Sequence, residues 1–531
     1  MWVEIILAVI GLCVSLYLYI TRKYNYFKDR GIPFLIPSFP YGSSNVKDLL
    51  LGNISVVDIS NEIYWNFPND KVVGQFQVSE PQVVIRDLDI AKNILVKDFD
   101  HFTDRRKVPT EGKSQLNKVF SKMLISLSGE QWKTMRTIVS PIFTSGKLKA
   151  MTVLVNKVGE DFVEHLSKIS ERGEPFNAKD TFTNFTVDSI ASCGFGFEAR
   201  SLNNPESQFR SMITKLTDVN QVVQFIQFAA VSLFPSVARM LDFEFEIFNK
   251  EAGTFVLDVL RQSIANRKSS KIRRNDLLDL LMDALEADRQ GIKQELEKDQ
   301  YDMDATLHMT RKKNIPDEDI EMFLLSNAFI LFFAGFDTSS TIMSIAAFFL
   351  ATHQDVQDKL YDEISEAVAQ NDNNESLDYN TIQSLPYLDK VVHETLRLYP
   401  ITIIERLCVK DYLIPGTNFV VPKDMLVQIP STAIMKDPQH YNNADKFDPE
   451  NFSTEAKAKR NPYAFLASGQ GPRNCVGMRF ALLQVKTSII RLVANFRVDR
   501  CAKTPTELIP DPKSITIQPK GELLLAISPR K

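Results

Sequence analysis

Residues 465–477 read FLASGQGPRNCVG, a loop punctuated by glycine and proline that carries one cysteine, Cys475, and runs into a long apolar segment. A structural zinc site needs three or four Cys or His ligands at short spacing, and neither residue recurs within reach of this loop, which argues against zinc. Gly469, Gly471 and Gly477 let the backbone turn tightly around the sulfur. A helix beginning near Val476 would aim the positive end of its dipole at Cys475, and Arg473 adds charge that lowers a thiol pKa or neutralises an anionic ligand edge. The same features suit a buried structural cysteine, the commoner fate of a lone one. The rest of the chain has to decide between these readings.

Residues 321–350, EMFLLSNAFILFFAGFDTSSTIMSIAAFFL, are apolar nearly all round, which predicts a long helix through the interior. In its middle, Ala334 and Gly335 remove bulk so that something can approach the backbone, and Thr338 can hydrogen-bond back to a carbonyl and loosen the ladder. A buried Asp337 beside such a groove is costly unless it is hydrated or handles protons. Taken alone, glycine, aspartate and threonine in a helix signify a kink or cap. Residues 393–400, HETLRLYP, place Glu394 and Arg397 on one helix face with Pro400 ending the helix. A pair at that spacing is ordinarily a solvated surface contact; buried, it would strand a charge if either partner were lost. WKTMR sets Trp132 and Arg136 four apart, a ring beside a guanidinium that could hold an anion or be a bland surface pair.

The chain has 531 residues, 44% hydrophobic and 24% charged, with net charge −4, so it can bury a large core and gives no global reason to bind nucleic acid. Its five scattered cysteines suit a reducing compartment better than a disulfide framework. WVEIILAVIGLCVSLYLYI, starting at Trp2, has the length and apolarity of one membrane helix, and Arg22, Lys23, Lys28 and Arg30 after it favour a cytosolic body. The proline-rich GIPFLIPSFPYGS then reads as a stiff linker. The organisation expected is an anchor over 1–21, a basic linker over 22–44 and one body over 45–531. Alternating runs between 55 and 110, such as VVGQFQV and PQVVIRD, predict short strands, with further strand patches near 403–421, 426–430 and 514–528. Helical spacing covers 151–170, 180–192, 250–266, 276–288, 317–350, 354–371 and 476–496. Residues 286–316 are polar enough for an exposed loop or solvated helix, whereas 219–241 fits either core or a surface dipping into the membrane. No GxGxxG follows a strand, so no flavin or dinucleotide module is expected.

Four motifs in order, WxxxR (132–136), AGxDT (334–338), ExxR (394–397) and the glycine-rich GxRxCxG loop (471–477), resemble the cytochrome P450 family of haem-thiolate monooxygenases. ETLRLYP and GPRNCVGMRFALLQVK are similar to the insect microsomal branch related to vertebrate drug-metabolising enzymes, in particular its family nine. The resemblance implies a mainly α fold with a minor β region, the single-domain cytochrome P450 fold, carrying an N-terminal transmembrane helix. It implies haem b, with Cys475 as thiolate ligand of the iron and Thr338 and Asp337 organising water and proton delivery. Trp132, Arg136, Arg473, Arg406 and Arg105 would neutralise the haem propionates, and Glu394 with Arg397 would be a buried structural pair. Electrons from NADPH would come through a separate NADPH-cytochrome reductase, docking on basic residues of the cysteine side, with a b-type cytochrome as a further partner. The implied setting is the cytosolic face of the endoplasmic reticulum membrane, and the implied reaction inserts one oxygen atom into a lipophilic small molecule. Detoxification of xenobiotics or insecticides is the favoured role, with fatty-acid or hormone hydroxylation as the alternative; an isomerase, or a haem binder without turnover, is the alternative of another class. Specificity would lie in 105–125, 219–241, near Phe333 and after Pro400.

Two positions depart from the family pattern. Ser468 and Ala467 stand where an aromatic and the proline before it are usual, which predicts a looser, more polar pocket beside the cysteine. In FDPENF (447–452), Asn451 replaces the arginine that normally supports the ExxR pair; it can hydrogen-bond but carries no charge.

Overall fold

The computed structural model describes residues 2–43, 48, 53–108, 113–204, 206–219, 223–224, 227–228, 230–231, 234–241, 243–270, 273–290, 319–372, 374–400, 404–512, 514 and 516–530. The fold is mainly helical with small sheets. Its contacts fall into two compact units, one made of Met1–Arg106, Thr402–Ala444 and Arg460–Arg473, the other of Lys107–Ile401, Asp445–Lys459 and Asn474–Lys531.

The first unit begins with helix Trp2–Thr21, whose mean hydropathy of 2.4 and almost wholly exposed side chains make it long and apolar enough to cross a membrane. Just beyond it, Arg22 stacks on Tyr19 at 3.7 Å. The unit's sheet runs Val72–Gln77, Glu80–Ile85, Leu426–Ile429, Ile404–Leu407 in spatial order. The first two strands form an antiparallel hairpin, turning at Val78 with φ 56°. Helix Val56–Asn66 starts at a capping box between Ser55 and Asp58 and lays Ile59 and Ile63 on Val73 and Val84. This helix and Leu88–Lys92, capped by Asp87, interrupt the stretch expected to be only strands; both carry N-cap signals just ahead of apolar spacing.

The second unit is organised around helix Ile320–Thr352, 33 residues long. Its hydropathy would also suit a membrane, but its apolar window is 61% buried in protein, and it runs through the interior. Around it pack Ala178–Ile190, Lys250–Ser270, Leu277–Arg289, Pro386–Leu398 and Met478–Asn495. The expected helices over 151–170, 276–288 and 354–371 are present as Ser145–Glu171, Leu277–Arg289 and Gln354–Gln370. A small sheet joins Phe176–Asn177, Leu524–Pro529 and Phe496–Arg500.

Among the described residues of the strand patch expected near 514–528, the strand is Leu524–Pro529. Ahead of it, an antiparallel bridge between Pro510 and Pro519 closes a hairpin whose described residues include Thr516 and Gln518, and Pro519 cannot donate to a ladder. The polar stretch 286–316 lies outside the described residues beyond 290, as does much of 219–241. The described part of the latter exposes Phe234, Val237, Met240 and Leu241 and buries Ala238.

Candidate functional site

Cys475 lies on an exposed loop of the second unit. The helix that follows begins at Met478, with Gly477 as its N-cap, two residues later than the sequence suggested. Gly477 has φ −91°, so its backbone needs no glycine. The glycines that do bend the loop precede the cysteine, in the first unit: Gly469 and Gly471 both have φ 72°. At Gly471 a Cβ would stand 1.9 Å from the Leu95 carbonyl oxygen, so no other residue fits.

Trp132 and Arg136 are not a surface pair: on helix Gly129–Val139 they are 1% and 4% exposed. Arg136 donates from Nη1 to the Asn474 carbonyl at 2.8 Å and from Nη2 to its side-chain oxygen at 2.5 Å, which clamps the residue next to Cys475. Asn474 was inside the quoted loop but carries no motif signal of its own.

On helix Ile320–Thr352 the AGFDT turn does three separate things. Ala334 is exposed in the middle of an otherwise buried helix, and Thr338, four residues on, is half-buried beside it, its hydroxyl donating to the Ala334 carbonyl at 2.8 Å. Gly335 serves helix packing: a Cβ there would meet Ile190 Cδ1 at 2.9 Å. Asp337 is buried and points elsewhere, its Oδ2 accepting from Thr516 and its Oδ1 from Gln518, each at 2.7 Å. Burial pushes its carboxyl pKa up, opposed by these two donors and by the charge of Lys179. Its backbone carbonyl takes the hydroxyls of Ser340 and Thr341, and the neighbouring Phe336 carbonyl takes that of Thr186. Thr516, Gln518 and Lys179 lie far from 337 in sequence and no periodicity points to them.

Glu394 and Arg397 are completely buried and bidentate, with both N–O distances 2.7 Å. Arg397 also donates to the Lys446 carbonyl, while Glu394 Oε1 accepts from the Asp448 N–H at 2.9 Å and from Asn451 Nδ2 at 3.1 Å. Asparagine therefore reaches the carboxylate without adding charge. The surface reading of this pair is overturned by its burial, which the isolated spacing could not reveal.

In the first unit, Arg473 is 4% exposed, donates to the Thr103 carbonyl at 2.8 Å and lies 3.9 Å from Asp104. Arg105 donates to the Arg473 carbonyl at 3.3 Å. Arg406 is 2% exposed; its Nη1 donates to the Glu405 carbonyl, its Nε has no hydrogen-bond partner, and no carboxylate pairs with it among the described residues. Burial and the charge of Arg105 depress its pKa to about 9. Such a guanidinium calls for an anion. Ser468, in the same unit, is half-buried.

One unit thus holds an exposed thiol and an open helical turn, and the other a buried guanidinium that no carboxylate pairs among the described residues. Among the described residues no group of three or more His, Cys, Asp and Glu is placed to hold a metal ion. The family model described as "Cytochrome P450" matches residues 58–526. Cytochrome P450 6B7 of Helicoverpa armigera is 34% identical, over 100% of this chain and 99% of its own length. Cytochrome P450 9e2 of Blattella germanica is also 34% identical, over 97% and 96%, and cytochrome P450 6A1 of Musca domestica is 32% identical, over 98% and 97%. Insect families six and nine thus stand at nearly the same distance, and the chain belongs to the cytochrome P450 family.

Proposed function

We propose that this chain is a membrane-anchored monooxygenase that inserts one atom of dioxygen into a lipophilic xenobiotic, with NADPH-derived electrons from a separate reductase. The observation that carries the reading is the turn at Ala334 and Thr338, left open in a helix that is otherwise buried. Haem b, when bound, would supply the activation of dioxygen and the reductase the electrons; binding, orientation and proton delivery fall to the chain. Cys475 holds the iron as thiolate. Thr338 places its hydroxyl on the open face and, with Asp337, moves protons; Trp132, Arg136, Arg473, Arg406 and Arg105 meet the propionates. Phe333 and Phe336 pack on each other at 5.7 Å beside Ala334, and Phe248 joins Phe333 at 5.1 Å, an aromatic wall that excludes water and favours apolar substrates. The domain plan follows the same reading: anchor 1–21, linker 22–44 and haem-binding body 45–531, on the cytosolic face of the endoplasmic reticulum. A role in detoxification draws support from the insect relatives.

The test is NADPH-dependent oxidation of a lipophilic panel by the full chain with added reductase in vesicles, after a spin-state binding screen has chosen the panel. Product formation is expected only with reductase present; spectral binding with no product from any bound compound would leave a haem binder. Charge reversal of basic residues on the cysteine side, the propionate partners Arg136 and Arg473 excepted, should lower turnover with haem content intact.

Two substitutions probe the cofactor's surroundings. Arg406→Met removes a buried charge without a carboxylate partner, so the haem-free protein should resist urea better, while the haem-loaded protein should lose haem faster. Urea unfolding and haem transfer to an acceptor protein, followed for both forms, check the opposite signs. Ser468→Phe should slow haem loss and move the reduction potential, since an aromatic covers far more surface than a serine; spectroelectrochemistry showing no change in potential, with unchanged haem loss, would refute the looser pocket.

A further inference from the structure

Thr516 and Gln518 sit two apart, and the side chains of both reach Asp337. Each donates to a different oxygen of Asp337 at 2.7 Å, and they brace each other at 3.0 Å. Gln518 is buried, and its side-chain oxygen accepts from Lys179 Nζ, so a single amide joins the ammonium to the carboxylate. The segment is fixed at its base: Asp511 N–H donates to the Gln518 carbonyl at 2.7 Å and Lys520 N–H to the Ile509 carbonyl at 2.8 Å. Successive helical residues point about 100° apart, so this hold keeps the carboxylate off the open face that Thr338 occupies.

We propose that Thr516 and Gln518 are positioning residues for Asp337: they fix the orientation of the carboxylate, and Gln518 links it to Lys179. The inference rests on the reading of Asp337 as a proton carrier. It makes two residues of the C-terminal segment, outside every motif, determinants of how efficiently electrons end in product. The charged groups facing the site are Lys179 from helix Ala178–Ile190 and, through Lys179, Asp180 and Asp511.

The experiment uses the haem-loaded full chain in three variants, Asp337→Asn, Thr516→Val and Gln518→Leu, with Thr516→Ser as the conservative control. Infrared difference spectra between low and high pH identify the Asp337 carboxyl band as the one lost in Asp337→Asn. Removing a donor to the charged form favours the neutral form, so in Thr516→Val and Gln518→Leu this band should persist to higher pH, and Thr516→Ser should restore it. In parallel, product formed per NADPH consumed should fall roughly ten-fold in Asp337→Asn and several-fold in the two hairpin variants. A wild-type band and wild-type coupling in both hairpin variants, with Asp337→Asn uncoupled, would overturn the positioning role alone. Wild-type coupling in Asp337→Asn would overturn the proton-carrier reading beneath it.

Discussion

Replacing Arg397 with methionine is expected to destabilise the protein by roughly 3–5 kcal/mol, enough to leave little folded, haem-containing material. Both members of the pair are fully buried. Without the guanidinium, Glu394 would retain among the described residues the Asp448 N–H and the Asn451 amide, neither of which carries charge. A carboxylate in that position must then either ionise without a partner or take up a proton, and both cost free energy. The double variant Glu394→Leu, Arg397→Met removes both charges and should recover much of the loss, because exchanging a buried pair for apolar groups of similar volume is often nearly neutral. Denaturant unfolding of wild type, single and double variants forms the cycle that measures this. Equal destabilisation in the single and double variants would mean that the pair matters through shape rather than charge.

This pair also marks the limit of what the sequence could say. Its spacing was legible, and so was the asparagine at 451 that comes to support it. Burial was not, because an i,i+3 ion pair looks the same on a solvated face as in a core until the packing of helix Pro386–Leu398 is known. The helices were legible where apolar spacing ran long, as at Ile320–Thr352, where apolar side chains on nearly every face suit an interior or a membrane and the packing selects the interior. The short caps at Ser55 and Asp87 were present in the sequence but masked by the alternation of the strands around them. Asp337 shows a different limit. The sequence placed it beside Thr338 and suggested a shared role, whereas the fold sends its carboxylate to residues nearly two hundred positions away. Only tertiary contact brings Thr516 and Gln518 there, and no local propensity encodes it.

Cys475→Ser should have the opposite profile to Arg397→Met: the chain folds, and its chemistry is lost. The side chain is exposed, so exchanging sulfur for oxygen removes little buried apolar area and no core packing. The loop's shape is held by other groups. Gly471 takes a backbone position closed to any Cβ, and Arg136 clamps Asn474 through two hydrogen bonds, neither of which involves the sulfur. Melting of the haem-free variant should therefore match wild type closely, within the ±0.5 kcal/mol typical of surface changes. What serine cannot supply is a thiolate, since its hydroxyl stays protonated at neutral pH. Reduced, carbon-monoxide-treated protein should then lose the strongly red-shifted band that reports thiolate ligation, and NADPH-dependent turnover should fall below detection. Arg136→Met separates the two roles: it keeps the sulfur and releases Asn474, so the band should survive at reduced haem occupancy. A red-shifted band that persisted in Cys475→Ser would move the iron ligand to another cysteine and overturn the role given to Cys475.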